Sequence, residues 1–179
     1  MSARIYKVFV PKQAATVSLI YFDLWVPTNS IYRVELVAIS PIVSGAVAVI
    51  GTLGIDLFLR RTTAIGTGGT AMTQEGTSLT AMTISDMNGQ QIADSAAITG
   101  RLTPAGGATG GAVMSWVSIF TEETSSAAYN MTNGMVRDGY SDIPPMIIPP
   151  NTGFSIIGGS EAAPVGNVGF NIFLRTKMT

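Results

Sequence analysis

MIIPPNTGFSIIGGSEAAPVGNVGFNIFLRTK, residues 146–177, holds the clearest pattern in the chain. Two apolar runs, Met146–Ile148 and Phe154–Ile157, flank the turn residues Pro149-Pro150-Asn151-Thr152-Gly153. After a glycine-rich loop, Val168, Phe170, Ile172 and Leu174 alternate with Gly169, Asn171, Phe173 and Arg175. Successive side chains of a strand point to opposite faces, so this alternation predicts a half-buried β-strand. The chain is expected to end in an antiparallel pair, with the earlier strands sorted around it.

The same period recurs upstream. Arg4–Val10 and Val17–Val26 read as strands joined through Pro11–Ala15, with Ile20, Phe22, Leu24 and Val26 on one face and Trp25 on the other. Ile31–Ile39 places Tyr32, Val34, Leu36 and Ala38 opposite Arg33 and Glu35. Gly54–Arg61 sets Ile55, Leu57 and Leu59 against Asp56, Phe58 and Arg60. Gly111–Thr121 sets Val113, Val117 and Ile119 against Met114, Trp116 and Phe120. Leu79–Ile84 and Ile98–Leu102 are shorter strand candidates, and Gln90–Ala97 is the one short helix expected. Residues 73–111 are rich in small and polar side chains and read as a flexible middle section of a single 1–179 domain.

Leu36–Ile55 carries no charge over its 20 residues and has the hydropathy of a membrane helix. Pro41, Gly45, Gly51, Gly54 and many β-branched residues suit strands broken by turns near Ser40-Pro41 and Ser44-Gly45 instead. Buried strands are expected, with no membrane span. Eight to ten short strands without a long helix predict an all-β fold, an antiparallel β-sandwich with jelly-roll connectivity as the leading arrangement.

Composition narrows the function. At 179 residues the chain can bury roughly 70% of its unfolded surface. Charged residues make up 12% and hydrophobic ones 46%, with a mean hydropathy of +0.38. Soluble domains carry about 25% charge, so extra burial against other subunits is expected. A net charge of −1 gives no pull on phosphates and argues against nucleic acid. No cysteine or histidine is present, which removes disulfides, thiolate zinc sites and imidazole bases. The N-terminus lacks the apolar run of a secretory signal.

The remaining motifs read as structure. Gly66-Thr67-Gly68-Gly69 lacks the Gly-Lys-Ser/Thr ending of a phosphate loop and reads as a loop or bent edge strand. Asp138 with Asp142 resembles a carboxylate pair but fits a solvated turn. Glu122-Glu123 fits an exposed loop pair without calcium-loop spacing, and Asn130-Met131-Thr132 matters only as a glycosylation acceptor in a eukaryotic secretory setting. No catalytic, cofactor or metal residue is assigned. The residues expected at a subunit or partner interface are Trp25, Arg60, Arg61, Trp116, Tyr129 and Tyr140.

Ile31-Tyr32-Arg33-Val34, the apolar stretch through Val49, Gly54–Arg61 running into Arg61-Thr62-Thr63-Ala64-Ile65-Gly66-Thr67-Gly68-Gly69-Thr70-Ala71-Met72-Thr73, and Ile147-Ile148-Pro149-Pro150-Asn151-Thr152-Gly153-Phe154 with the final strand resemble a family of small structural proteins of tailed bacteriophages. The resemblance covers about half of the chain and leaves out residues 74–110. It implies a virion component assembled in the host cytoplasm: a head decoration or fibre-associated β-sandwich that forms trimers. The expectation is a non-enzymatic capsid decoration or stabilisation protein whose partners are its own copies and the major capsid protein or another virion protein. The alternative is a receptor- or glycan-binding domain of a head or tail fibre, using loop aromatics such as Tyr129 and Tyr140.

Overall fold

The computed structural model describes residues 4–44, 52–74, 83–86, 98–104, 110–122, 145–159 and 166–178. The strands are β1 (Arg4–Ala14), β2 (Ile20–Val26), β3 (Tyr32–Ser44), β4 (Thr52–Thr62), β5 (Thr70–Ala71), β6 (Thr73–Gln74), β7 (Thr83–Asp86), β8 (Thr99–Leu102), β9 (Gly110–Glu122), β10 (Met146–Ile148), β11 (Thr152–Gly158) and β12 (Asn167–Met178). No helix occurs among the described residues, so none there could cross a membrane. The uncharged stretch is strand through Ser44 and again from Thr52. The helix expected at Gln90–Ala97 lies outside the described residues.

Two sheets pack into a β-sandwich. The first runs β10-β3-β12-β1-β7-β6 and the second β5-β8-β2-β11-β4-β9. All pairings are antiparallel except that of two-residue β6 with β7. The leading half of the chain pairs with the trailing half in reverse: β1 with β12, β2 with β11, β3 with β10, β4 with β9. The chain is thus one long two-stranded ribbon, and folding it over makes β12 also pair β3 and β11 also pair β4.

The terminal antiparallel pair expected from the sequence does not form. β10 and β12 lie in the first sheet and β11 in the second. Successive strands here lie in alternate sheets, as do their partners in the opposite half of the ribbon. Ala15 N–H donates to the Gly166 carbonyl, Gly158 N–H to Leu19 and Ser18 N–H to Gly159, joining the β1–β2 and β11–β12 connections. Tyr21 fixes the same end, its hydroxyl accepting from Thr16 N–H at 2.8 Å. At the other end Asn151, at φ 61°, donates its N–H to the Val26 carbonyl.

The core lies between the sheets. Tyr6, Val8 and Val10 of β1, Val34, Leu36 and Ile39 of β3, and Val168, Phe170, Ile172 and Leu174 of β12 face Phe22, Leu24, Ile55, Leu57, Leu59, Phe154 and Ile156. Phe22 and Phe154 rings meet at 5.8 Å, and the Tyr21 edge meets Phe170 at 6.0 Å.

Bulges correct the simple alternation. Between the Phe173↔Ala38 and Leu174↔Leu36 pairs, Val37 is an extra residue, so Ile39 rather than Ala38 turns inward. A shift between Ile156 and Ile157 leaves Tyr21 extra, burying Tyr21 and moving Ile20 off the apolar face. In β9 a shift at Met114 sets Val113 opposite Arg60, 56% exposed, whereas Val117 and Ile119 are registered opposite Leu57 and Ile55. Two prolines also sit within strands rather than at the turns expected of them. Pro11 lies at the bulge between Val10 and Gln13. Pro41 lies where no described strand flanks β3 opposite β12, a position that needs no ladder donor.

Phe170 and Ile172 are fully buried in a strand with neighbours on both sides. Either residue changed to Ala should lower stability by about 2–5 kcal/mol through the cavity left behind. Urea melts of the single variants check this; an unshifted midpoint contradicts it.

Candidate functional site

The outer faces of the two sheets carry the polar chemistry, and each is built around one buried carboxylate. On the first sheet, register lines up Ile147, Glu35, Arg175 and Ile5 across β10, β3, β12 and β1. Arg33 and Lys177 form the next row on β3 and β12. Cross-strand neighbours stand about 5 Å apart, so these side chains meet. Arg175 Nε donates to Glu35 Oε2 at 2.6 Å, while Lys177 Nζ and Arg33 contact Oε1 at 3.2 and 3.3 Å. Glu35 is only 2% exposed because the arms of the cations cover it, while Arg33 and Lys177 remain 39% and 42% exposed. Burial pushes the Glu35 carboxyl up, but the contacts with Arg175 and Lys177 outweigh it and hold the group below the usual carboxylate range. Among the described residues, three cations surround this one anion. Ile5 and Ile147 beside it are 40% and 42% exposed.

On the second sheet, the row is Arg101, Asp23, Ser155, Arg60 and Val113 across β8, β2, β11, β4 and β9. Asp23 is buried beneath the segment 63–69, the Thr/Gly-rich stretch. Gly66 N–H donates to Asp23 Oδ2 at 2.7 Å, and Arg101 donates to the Gly68 carbonyl at 2.9 Å. A Cβ on residue 66 would sit 2.7 Å from Asp23 Oδ2 and 2.8 Å from Pro104, so only glycine allows this approach. Gly68 and Gly69, at φ 71° and 66°, turn the strap into β5. The stretch is therefore a strap tied to a carboxylate.

Desolvation raises the Asp23 carboxyl above its ordinary value, against the opposing pull of the Gly66 hydrogen bond, Arg101 and Ser155. The Ser155 hydroxyl lies alongside in the same row, and Asp23 Oδ1 and Ser155 Oγ are both buried with no hydrogen-bond partner among the described residues. Thr62 Oγ1, on the same face, is buried in the same way.

Of the residues singled out in the sequence, Trp25 and Arg60 share this outer face. Trp25 is half-buried, registered with Gly153 and Thr99. Arg60 Nε donates to the Gly111 carbonyl at 3.1 Å. Arg61 alternates to the other side and reaches the Ile147 carbonyl of the first sheet at 3.4 Å, which makes it a strut between the sheets. Trp116 pairs with Phe58 along β9. Tyr129, Tyr140, Asn130, Glu123 and the Asp138–Asp142 pair lie outside the described residues. The structure thus brings Trp25 and Arg60 together and separates Arg61 from them. Asp23 and Glu35 are not legible as sites in the sequence because single acids in apolar strands carry no motif; an acid at a position flanked by buried neighbours is the available signal. No cluster of metal-ligating side chains occurs among the described residues. No protein-family model, curated protein or solved structure matches the chain.

The two carboxylates should respond to acid in opposite directions. Glu35 is held below its unfolded value, so its stabilisation is present above the ordinary carboxylate range, about pH 4, and is lost as pH falls through the folded value. Glu35→Gln should therefore lower the melting temperature at pH 7, with a deficit that shrinks below about pH 4. Asp23 is held above its unfolded value, so the fold favours its neutral form and loses that contribution as pH rises through the folded value. Asp23→Asn should melt no lower than the parent at pH 7, and any advantage should fade on acidification. Asp23→Ala strands the Gly66 N–H and should cost about 1–3 kcal/mol. Calorimetry of the three variants at pH 7 and pH 3 reads all of these signs.

Proposed function

We propose that this chain is a non-enzymatic structural protein of a tailed-phage virion, which decorates and stabilises a preformed capsid as a homotrimer. The observation that carries the reading is the strand order. β1-β12-β3-β10 packed over β2-β11-β4-β9, with each ribbon crossing between sheets, supports a jelly-roll connectivity, an architecture used by viral capsid and lectin domains. The inserted strands β5–β8 only widen the two sheets beyond β1 and β2. The resemblance carried by the 61–73 strap and the 147–154 turn points to the same class of protein.

Contact with the shell is assigned to the outer face of the second sheet. There Val113 is 56% exposed, Trp25 is half-buried, and the two arginines are tied to backbone carbonyls. A surface of this kind binds mainly through apolar burial, so attachment should depend weakly on salt.

The test is rebinding of purified protein to particles stripped of it. Binding should persist from about 0.05 M to about 0.5 M salt, a range over which the screening length falls several-fold. Val113→Asp should leave the melting temperature unchanged and weaken rebinding. Loss of binding at high salt, indifference to Val113→Asp, or competition by soluble host polysaccharide would overturn the reading, the last in favour of glycan recognition.

A further inference from the structure

We infer that the strap 63–69 is a pH-operated cover on the outer face of the second sheet: a neutral Asp23 keeps it shut, and ionisation of that carboxyl lets it lift. The inference concerns the strap alone and stands whether or not this face meets a shell.

The geometry makes the strap a movable part between fixed ends. It leaves β4 at Thr62, which is fully buried and registered with Gly153. It reaches β5 through Gly69, where a Cβ would run into the Leu102 carbonyl oxygen, so the backbone there lies close against β8. Between these ends Thr63, Ile65, Thr67 and Gly68 are exposed, Ala64 is half-buried and Gly66 is buried. A segment with so little buried apolar surface opens locally at a lower free energy than the sandwich beneath it. Gly68 and Gly69, at φ 71° and 66°, form the turn about which it can swing. Asp23 Oδ2 ties down the middle, accepting from Gly66 N–H at 2.7 Å, and Arg101 Nη1 adds a tie to the Gly68 carbonyl at 2.9 Å.

The Asp23 tie depends on the charge of the carboxyl, because closure takes that group out of water. Gly66, packed against Pro104, lies over Asp23, which is 1% exposed. Among the described residues, the charges in its row are Arg101 on the adjacent β8 and Arg60 on β4, beyond Ser155; the strap has no ionisable side chain. Burial pushes the carboxyl up, and it outweighs the Gly66 N–H, Arg101 and the Ser155 hydroxyl, which all favour the ionised form. Lifting the strap returns the carboxyl to water and to its ordinary range, about pH 4. Closure is therefore at full strength below about pH 4 and weakens as pH rises through the higher value of the closed form. The open fraction should grow by up to about 10-fold per pH unit between those two points and then level off. Lifting uncovers Asp23 Oδ1 and Ser155 Oγ, which adds anionic, hydrogen-bonding surface to the row that ends at Val113.

Amide exchange of the full chain, followed by NMR from about pH 3 to about pH 7 and divided by the intrinsic rate at each pH, tests this. Gly66 should be most protected in acid and lose protection with the slope above. The loss should stop where the Asp23 carboxyl carbon finishes its own titration in the same samples. At every pH Gly66 should exchange faster than Ile172 of β12, which is flanked on both sides and reports opening of the whole molecule. Asp23→Asn keeps an acceptor for Gly66 N–H without the charge, and should hold the strap at the parent's acid level throughout. Arg101→Gln removes a charge that favours ionisation, and should move both the carboxyl titration and the end of the loss to higher pH. Should Asp23→Asn fail to fold, the parent and Arg101→Gln profiles decide between them. Protection of Gly66 that is flat or rises with pH in the parent would overturn the inference. So would a slope that survives Asp23→Asn, Gly66 protected to the same limit as Ile172, or a profile that Arg101→Gln leaves in place.

Discussion

Each strand of a sheet must find partners for its backbone N–H and C=O groups, and a strand flanked on both sides leaves none of them to water. β12 and β11 are both of this kind: β12 lies between β1 and β3, β11 between β2 and β4. They are consecutive in the chain but occupy different sheets, so together they tie one sheet to the other. Val168, Phe170, Ile172 and Leu174 of β12 are fully buried, and the inward residues of β11 face them across the core. The rest of the first half of the chain is laid down against these two strands. That dependence explains why the β1–β2 connection is hydrogen-bonded to Gly159 and Gly166, where the ribbon turns from one sheet to the other.

With the interior given over to apolar side chains, charge is confined to the outer faces, where each sheet treats its buried acid differently. Glu35 is surrounded by three cations that are themselves solvated, so the pairing is screened and its value to stability is modest. Its larger effect is to hold the cations in place. Asp23 has one backbone donor and an arginine beside it in the same row, and its role is to tie down a strap of chain that would otherwise lie loose on the sheet. One carboxylate orders a surface and the other orders a loop.

The parts of the fold legible in the sequence are those where one face is buried and the ladder is regular. β12 alternates cleanly over Val168–Leu174, and Ile55, Leu57 and Leu59 of β4 do the same. The departures from regularity are not legible, because a bulge leaves no fixed residue signature. Val37, Tyr21 and Met114 are ordinary apolar residues, yet each reverses the face on which its neighbours in the strand lie. Pro11 and Pro41 look like strand ends until it is clear that one lies at a bulge and the other beside an unpaired flank. Pairing across 100 residues is likewise invisible. Met146–Ile148 and Phe154–Ile157 are separated by a turn that would suit a hairpin, and only the competing strands β2, β3 and β4 send them to different sheets. The strap is visible as a glycine-rich loop, but its anchor, Asp23, lies 43 residues away.

The central claim is that the doubly flanked strands hold the sandwich together and the short outer strands do not. Native-state hydrogen exchange measures this residue by residue. The amides of Phe170, Ile172, Leu174 and Ile156 that bond within the ladders should exchange only through global unfolding, with a denaturant dependence equal to that of the whole protein. Those of β5, β6 and β10 should exchange through local opening at much lower free energy. If β12 or β11 exchanges by local opening while β5 or β10 remains protected to the global limit, the account is wrong about what the fold is organised around.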